Sequence, residues 1–181
     1  MPTTGDDVIR RYLDDAVAAE KNSEAQLEEF AREGEDDEIR AMFTYHLEET
    51  RRQQERLTAR LRELGGSASS AKSFLAQVFG LTPKPVHVAE KPEERTAQHL
   101  VIAFAMENGE CAMYEALVAA AEAAGDDATE KLAREIQEEE KQAADKLWRF
   151  IPSRAKIAFN LLTVGETDPA VNTKAHDNPL L

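Results

Sequence analysis

The sequence predicts an all-α protein folded as an antiparallel four-helix bundle, and three observations carry that expectation. Aromatic residues make up only 6% of the 181 residues, while Ala, Glu and Leu abound, a composition that favours helices over sheets. Apolar residues recur at spacings of three and four through four long segments, which places each set on one helix face. No segment alternates β-branched residues with period two, the pattern a half-buried strand needs. A chain of this length suits one domain with a sizeable core, and the bundle is expected over residues 1–151.

The first helix, at about 5–33, carries Ile9, Leu13, Ala16, Glu20, Ser23, Leu27 and Phe30 on its stripe. The second, at about 36–64, carries Ile39, Phe43, His46, Glu49, Gln53, Leu57, Leu61 and Leu64. The third, at about 93–123, opens on Pro92-Glu93-Glu94, a proline in the first turn with acids behind it, which is a helix-start signal. Its stripe is Leu100, Ala103, Glu107, Glu110, Tyr114, Leu117 and Ala121. The fourth, at about 127–151, carries Leu132, Ile136, Glu139, Ala143, Leu147 and Phe150, and Pro152 is expected to end it.

The links between the first and second helices and between the third and fourth are short, so each pair should be antiparallel neighbours. A connector of about 65–92 joins the two pairs. It has room for a short helix at 71–79 between loop-like flanks of Gly, Ser and Pro, and it is long enough to cross the bundle from end to end. That is the ferritin-like arrangement with one long crossover. Beyond Pro152, SRAKIAFNLLTVG predicts a short amphipathic fifth helix, and GETDPAVNTKAHDNPLL reads as an extended tail; residues 152–181 thus stand apart from the bundle.

The two hairpins resemble each other at an offset of 90 residues. Glu20 maps to Glu110, Leu27 to Leu117, Asp36-Asp37 to Asp126-Asp127, Met42 to Leu132, Glu49 to Glu139, Arg51 to Lys141, Leu57 to Leu147 and Leu61 to Ile151.

Charge and composition exclude several function classes. A formal net charge of −13 repels phosphate backbones, so no nucleic-acid partner is expected. The single cysteine, Cys111, excludes an intrachain disulfide and fits a reducing compartment. The N-terminal MPTTGDDVIRRYLDD is too polar for a secretory signal, and no apolar run reaches membrane-spanning length. A cytoplasmic protein without a membrane partner is the expectation. No nucleophile–base pair or phosphate-cradling glycine loop points to another enzyme class.

The chemistry lies in the stripes themselves. Each helix carries glutamate on its apolar face: Glu20, Glu49, Glu107 and Glu110, and Glu139. Glutamate is almost never fully buried unless it is paired or coordinates something. Several ionised carboxylates crowded in a low-dielectric core are costly, and bound cations reverse that sign. Glutamates from four helices around two metal ions are the layout of di-iron and di-manganese bundles, which usually show Glu-x-x-His on two helices. Here Arg52 follows Glu49 by three residues and Gln142 follows Glu139, so neither motif is present. His46 instead precedes Glu49 by three, on the same face, and its repeat equivalent is Ile136. Glu20 and Glu107 are candidate terminal ligands, Glu49 with Glu110 or Glu139 candidate bridges, and His46 a nitrogen donor. Glu48, Glu138 and Glu140 read as surface acids, and Tyr114 as core packing or as a hydrogen-bond partner of a ligand. Oxygen donors with at most one imidazole suit Fe or Mn, as one or two ions.

The stretches AAEKNSEAQL (18–27), FTYHLEETRRQQERL (43–57), AMENGECAMYEAL (105–117) and QEEEKQAADKL (137–147) resemble the YciF-like family of bacterial ferritin-like proteins. The match runs over roughly residues 8–150, and His-Leu-Glu-Glu-Thr at 46–50 is its most specific part. The chain departs from the family's usual pattern at Asn108, where histidine is usual, at Ala144, where aspartate is usual, and in its less acidic connector. The resemblance implies a four-helix ferritin-like bundle, often a homodimer, associated with stress responses. LTVG at 162–165 resembles the docking peptides of encapsulin-shell cargo, which makes such a shell a candidate partner through the tail.

Two readings therefore stand. One is a metal-binding carboxylate bundle, a di-iron-type oxidoreductase if it is an enzyme, with oxygen or peroxide chemistry in stress protection. The other is a metal-free helical module that acts as a dimer or through partners.

Overall fold

Short polar residues set where the helices begin. In the computed structural model, which describes residues 4–68, 89 and 91–163, helix α1 spans Gly5–Glu33 behind a capping box in which Thr4 and Asp7 satisfy each other's backbone N–H. Helix α2, Asp37–Glu63, starts where the Asp36 carboxylate accepts from the N–H groups of Glu38 and Ile39. Helix α3, Pro92–Ala124, has proline at its first turn, where the missing N–H is no loss. It ends at Gly125, whose φ of 69° is the left-handed conformation glycine adopts without strain. Helix α4, Asp127–Thr163, follows at once, with Asp126 accepting from the Thr129 N–H at 3.0 Å and from its hydroxyl at 2.6 Å.

Pro152 does not end the fourth helix. It lies inside α4, and the residues expected to form a separate fifth helix are its last turns. Proline removes one helical hydrogen bond and crowds the preceding turn, but contacts made by the residues that follow hold the helix through it. Arg154 donates to the Asp36 cap at 2.8 Å and to Glu38 at 2.7 Å, Ala158 is buried, and Lys91 Nζ donates to the Leu161 carbonyl. The expected connector helix at 71–79, most of the crossover and the tail from 164 onward lie outside the described residues, as does all but the beginning of the LTVG segment.

The helices pack as two antiparallel hairpins, α1–α2 and α3–α4, laid against each other with α1 beside α3 and α2 beside α4. The ends are pinned reciprocally. Arg60 of α2 donates to Asp126 at 2.7 Å and to Thr129 at 2.9 Å at the α3–α4 turn, while Arg154 of α4 binds the Asp36 cap of α2 at the other end. Arg10 of α1 also reaches the carbonyl of Leu64 at 2.9 Å. No helix among the described residues is long and apolar enough to cross a membrane.

The repeat seen in the sequence is a repeat of burial. Ile39, Phe43, His46, Leu47, Thr50, Gln53 and Leu57 are buried in α2, and so are the residues 90 positions later in α4: Thr129, Ala133, Ile136, Gln137, Glu140, Ala143 and Leu147. The core it makes is interrupted. One apolar cluster gathers Ile9, Leu13, Leu57, Leu61, Tyr114, Leu117 and Ile136; a second gathers Leu27, Phe30, Ile39, Phe43, Leu100 and Leu147. In sequence register, the buried Glu20, Ser23, Thr50, Gln53, Glu107, Glu110 and Glu140 fall between them, and His46 lies at the edge of the second, beside Leu47.

Candidate metal centre

All four helices contribute to this polar layer. Glu107 is 0% exposed, Glu20, Glu110 and Glu140 are each 1%, and His46 is 6%. His46, Glu107 and Glu140 converge from α2, α3 and α4, each offering a ligand atom within 4.8 Å of the other two. His46 Nε2 lies 2.9 Å from Glu107 Oε1, yet the two are not aligned as a hydrogen bond. Both nitrogens of His46 and both oxygens of Glu107 and Glu140 are buried without a hydrogen-bond partner. Buried polar groups are normally paired, and an unpaired one costs about 1–3 kcal/mol, more when charged. This concentration of orphaned donor atoms is what a cation would satisfy, and the residues present fit one.

Glu20 and Glu110 flank that group and are differently supported. Tyr114 of α3 donates its hydroxyl to Glu20 Oε1 on α1; Ser23 of α1 donates to Glu110 Oε1 on α3 at 2.6 Å. These two carboxylates are equivalents in the repeat, and each is oriented by a hydroxyl from the opposite hairpin. Such outer partners fix the direction of a ligand's lone pairs.

The electrostatics follow from burial. Burial pushes Glu20 up to about 8, opposed by the Tyr114 hydrogen bond and reinforced by Glu107. Burial also raises Glu110 well above the carboxylate range, with Glu20 and Glu107 adding repulsion, and raises Glu140 in the same way. For His46, burial favours the neutral imidazole, but Glu107, Glu49 and Glu110 outweigh it and push it up to about 10. Tyr114 is pushed well above its usual range by burial and by Glu20. Among these buried groups His46 is the single cation against four carboxyls, so without a further positive charge several carboxyls must hold protons.

The sequence-predicted residues do not all meet. His46 and Glu107 lie in the converging group, and Glu20 and Glu110 lie beside it. Glu49 stands at its edge, with a side chain 15% exposed and Oε2 3.6 Å from His46 Nδ1. Glu139 does not take the inward place expected of it on α4. Its side chain is 32% exposed and is held by Arg56 at 2.8 Å and by Gln53 at 3.1 Å. Glu140, expected on the surface, is the buried acid. The physical reason is register. Two stripes of three-and-four spacing overlap on α4 at Ile136, Ala143 and Leu147, and the core takes the one through Thr129, Ala133 and Glu140. Carrying Ile39 and Phe43 forward by 90 picks out Thr129 and Ala133, but the α2 stripe read from the sequence also holds Glu49, which gives Glu139; on α2 too the core takes the next residue, Thr50. Glu48 is exposed as expected, and Glu138 is too.

Residues 4–159 match the family described as Domain of unknown function (DUF892). The chain belongs to this family. Its fold is shared by the stress protein YciF of E. coli, with a TM-score of 0.74 and 29% identity over 86% of this chain and 99% of that one. It is also shared by YcfI, a putative structural protein from Rhodopseudomonas palustris, with a TM-score of 0.66 and 26% identity over 80% and 92% of the two chains. Dps from Staphylococcus aureus, at 14% identity and a TM-score of 0.67 over 83% and 98%, shares the fold alone. The YciF-like resemblance of the sequence therefore holds, and the chain is a ferritin-like helical bundle whose buried His/Glu group is compatible with a metal ion.

Proposed function

We propose that this member of the family is a carboxylate bundle that binds one or two iron or manganese ions and serves in stress protection through oxygen or peroxide chemistry. The observation that carries the reading is that His46, Glu107 and Glu140 are buried with side-chain nitrogens and oxygens that have no hydrogen-bond partner, and that each offers one ligand atom within 4.8 Å of the other two. These three residues would hold the first ion; Glu20 and Glu110, oriented by Tyr114 and Ser23, would extend the set toward a second. Carboxylate oxygens with one imidazole favour iron or manganese over a thiolate-preferring metal, and the half-buried Cys111 is not part of the group. When bound, iron supplies redox chemistry toward oxygen or peroxide, while the protein's own contribution is a dry pocket and a fixed array of donors. That YciF of E. coli is a stress protein supports the stress-protective setting.

The test is elemental analysis of protein expressed with iron and manganese supplements and purified without chelator. One to two equivalents are expected, with loss in His46→Ala, Glu107→Ala and Glu140→Ala. No metal after anaerobic reconstitution with ferrous or manganous ion would refute the reading. The rival is a metal-free module that acts as a homodimer. It draws on the exposed Val101, Trp148 and Phe159, large apolar side chains of the kind that interfaces cover. That reading would survive the negative result.

A further inference from the structure

The geometry points to the seam between α2 and α4 as the route by which cations reach the buried group, with Glu49 as an outer transfer carboxylate that takes up the ion and passes it to His46. This inference rests on the metal-binding reading above and adds where the ion enters and which residue receives it.

Four of the carboxyls in the layer are shut off from solvent. Glu49 is in touch with both sides, since part of its side chain meets solvent and Oε2 sits 3.6 Å from a His46 nitrogen that has no hydrogen-bond partner. Its repeat equivalent Glu139 is also at the seam, but Arg56 and Gln53 hold it. Among the described residues Glu49 has no such latch, and its ion-pair partner is His46. Of the four neighbouring helix pairs, α2 and α4 meet least closely. Toward one end their seam is closed by Arg56 to Glu135 and by Arg60 to Asp126. In its middle a small, mostly apolar cavity borders His46 and Glu49; Met42, Phe43 and Leu147 also line it, Ala143 presents only a methyl group from α4, and Tyr45 and Lys146 complete its wall. Lys146 Nζ rests 5.1 Å from the centre of the Tyr45 ring. A carboxylate at the mouth attracts a divalent cation and the ammonium beside it repels one, so the two should act on the rate of entry with opposite signs.

The experiment follows anaerobic loading of Co2+ by stopped-flow absorbance in the wild type, Glu49→Gln and Lys146→Gln, with equilibrium titrations alongside. Glu49→Gln is expected to load about tenfold more slowly and Lys146→Gln faster, in the range that charge steering produces. Final stoichiometry and Kd should be unchanged, and both rate differences should shrink as salt is raised. Equal loading rates in all three proteins would overturn the route. A weaker Kd in Glu49→Gln at an unchanged loading rate would also overturn it, because Glu49 would then be a ligand. A wild type that develops no Co2+ spectrum would instead remove the metal-binding reading, and this inference with it. Melting curves check that both variants are folded, and the Lys146 variant tests the route even if Glu49→Gln is unstable.

Discussion

Stripped of metal with chelator, the protein should lose stability as pH rises from about 5 to 8, a range in which most domains change little. The sign follows from the direction of each shift. Glu20 is carried from an ordinary 4.5 to about 8, chiefly by burial. Below 4.5 it is protonated both folded and unfolded, and no difference arises. Between the two values the folded state keeps a proton that the unfolded state has released, so each added pH unit destabilises the fold by about 1.4 kcal/mol. Across the window Glu20 alone amounts to an upper figure of about 5 kcal/mol, or roughly 10–20 °C in Tm for a domain of this size. Glu110 and Glu140 are shifted the same way. His46, pushed up to about 10, contributes stability that is fully present below about 6.5 and lost as pH rises toward 10, so it adds to the same slope. Groups held low, such as Asp36 beside Arg154 and Asp126 beside Arg60 and Thr129, lose their contribution only below about pH 4 and do not enter the window. The assay is urea unfolding of chelated protein at half-unit steps of pH, repeated on Glu20→Gln. The variant should show a shallower slope, and added Mn2+ should restore stability at the alkaline end by binding the folded state. A chelated wild type whose stability is flat or rises from pH 5 to 8 would refute the account of the buried layer.

Three further variants separate the residues of the site. Glu140→Gln should abolish metal retention while leaving the chelated protein at pH 8 as stable as wild type or more so by about 1–3 kcal/mol, because the cost of keeping a buried carboxyl protonated at that pH is removed; Glu139→Gln should retain metal and lose no more than about 1 kcal/mol with its Arg56 pair, both read by elemental analysis and urea unfolding. Tyr114→Phe keeps the packing but removes the hydroxyl that Glu20 accepts, so it should lower stability by about 1–3 kcal/mol and move the Glu20 transition to higher pH in the same titration.

Most of the fold was legible because helix periodicity is a local signal. Every residue of the stripes on α1 and α3, from Ile9 to Phe30 and from Leu100 to Ala121, is buried, and Val17, Ala19, Met106 and Val118 beside them are buried as well. Two features were not readable that way. On α4, Leu132 and Ala133 both continue a helical stripe, as do Glu139 and Glu140, and only the packing of α4 against its neighbours decides between adjacent positions. At Pro152 the sequence rule concerns the helix in isolation, whereas Arg154 bonded to the α2 cap, together with the buried Ala158, supplies tertiary contacts that the rule omits. The identity of the acids was easier to infer than their grouping. That Glu107 meets His46 and Glu140 while Glu110 pairs with Ser23 depends on side-chain directions across four helices, which no spacing encodes.

The repeat conserves the scaffold and leaves the contents of the layer one-sided. Leu27 and Leu117, Leu57 and Leu147, and Glu20 and Glu110 are buried equivalents. The three residues that converge have no such partners: opposite His46 in the repeat stands Ile136, opposite Glu107 stands Val17, and opposite Glu140 stands Thr50, all buried. The two-histidine symmetry of the familiar di-metal bundles is therefore missing because Ile136 has joined the apolar cluster beside Leu57 and Leu61. What remains is a single imidazole beside Glu107 and Glu140, whose carboxyl oxygens lack both solvent and hydrogen bonds. Protons can neutralise that layer, but only below the raised pKa values; a divalent cation can do so at any pH where the carboxylates ionise, and it binds more tightly as they do. The pH slope of the chelated protein and its reversal by Mn2+ thus measure the same deficit of positive charge, once with protons and once with the ion.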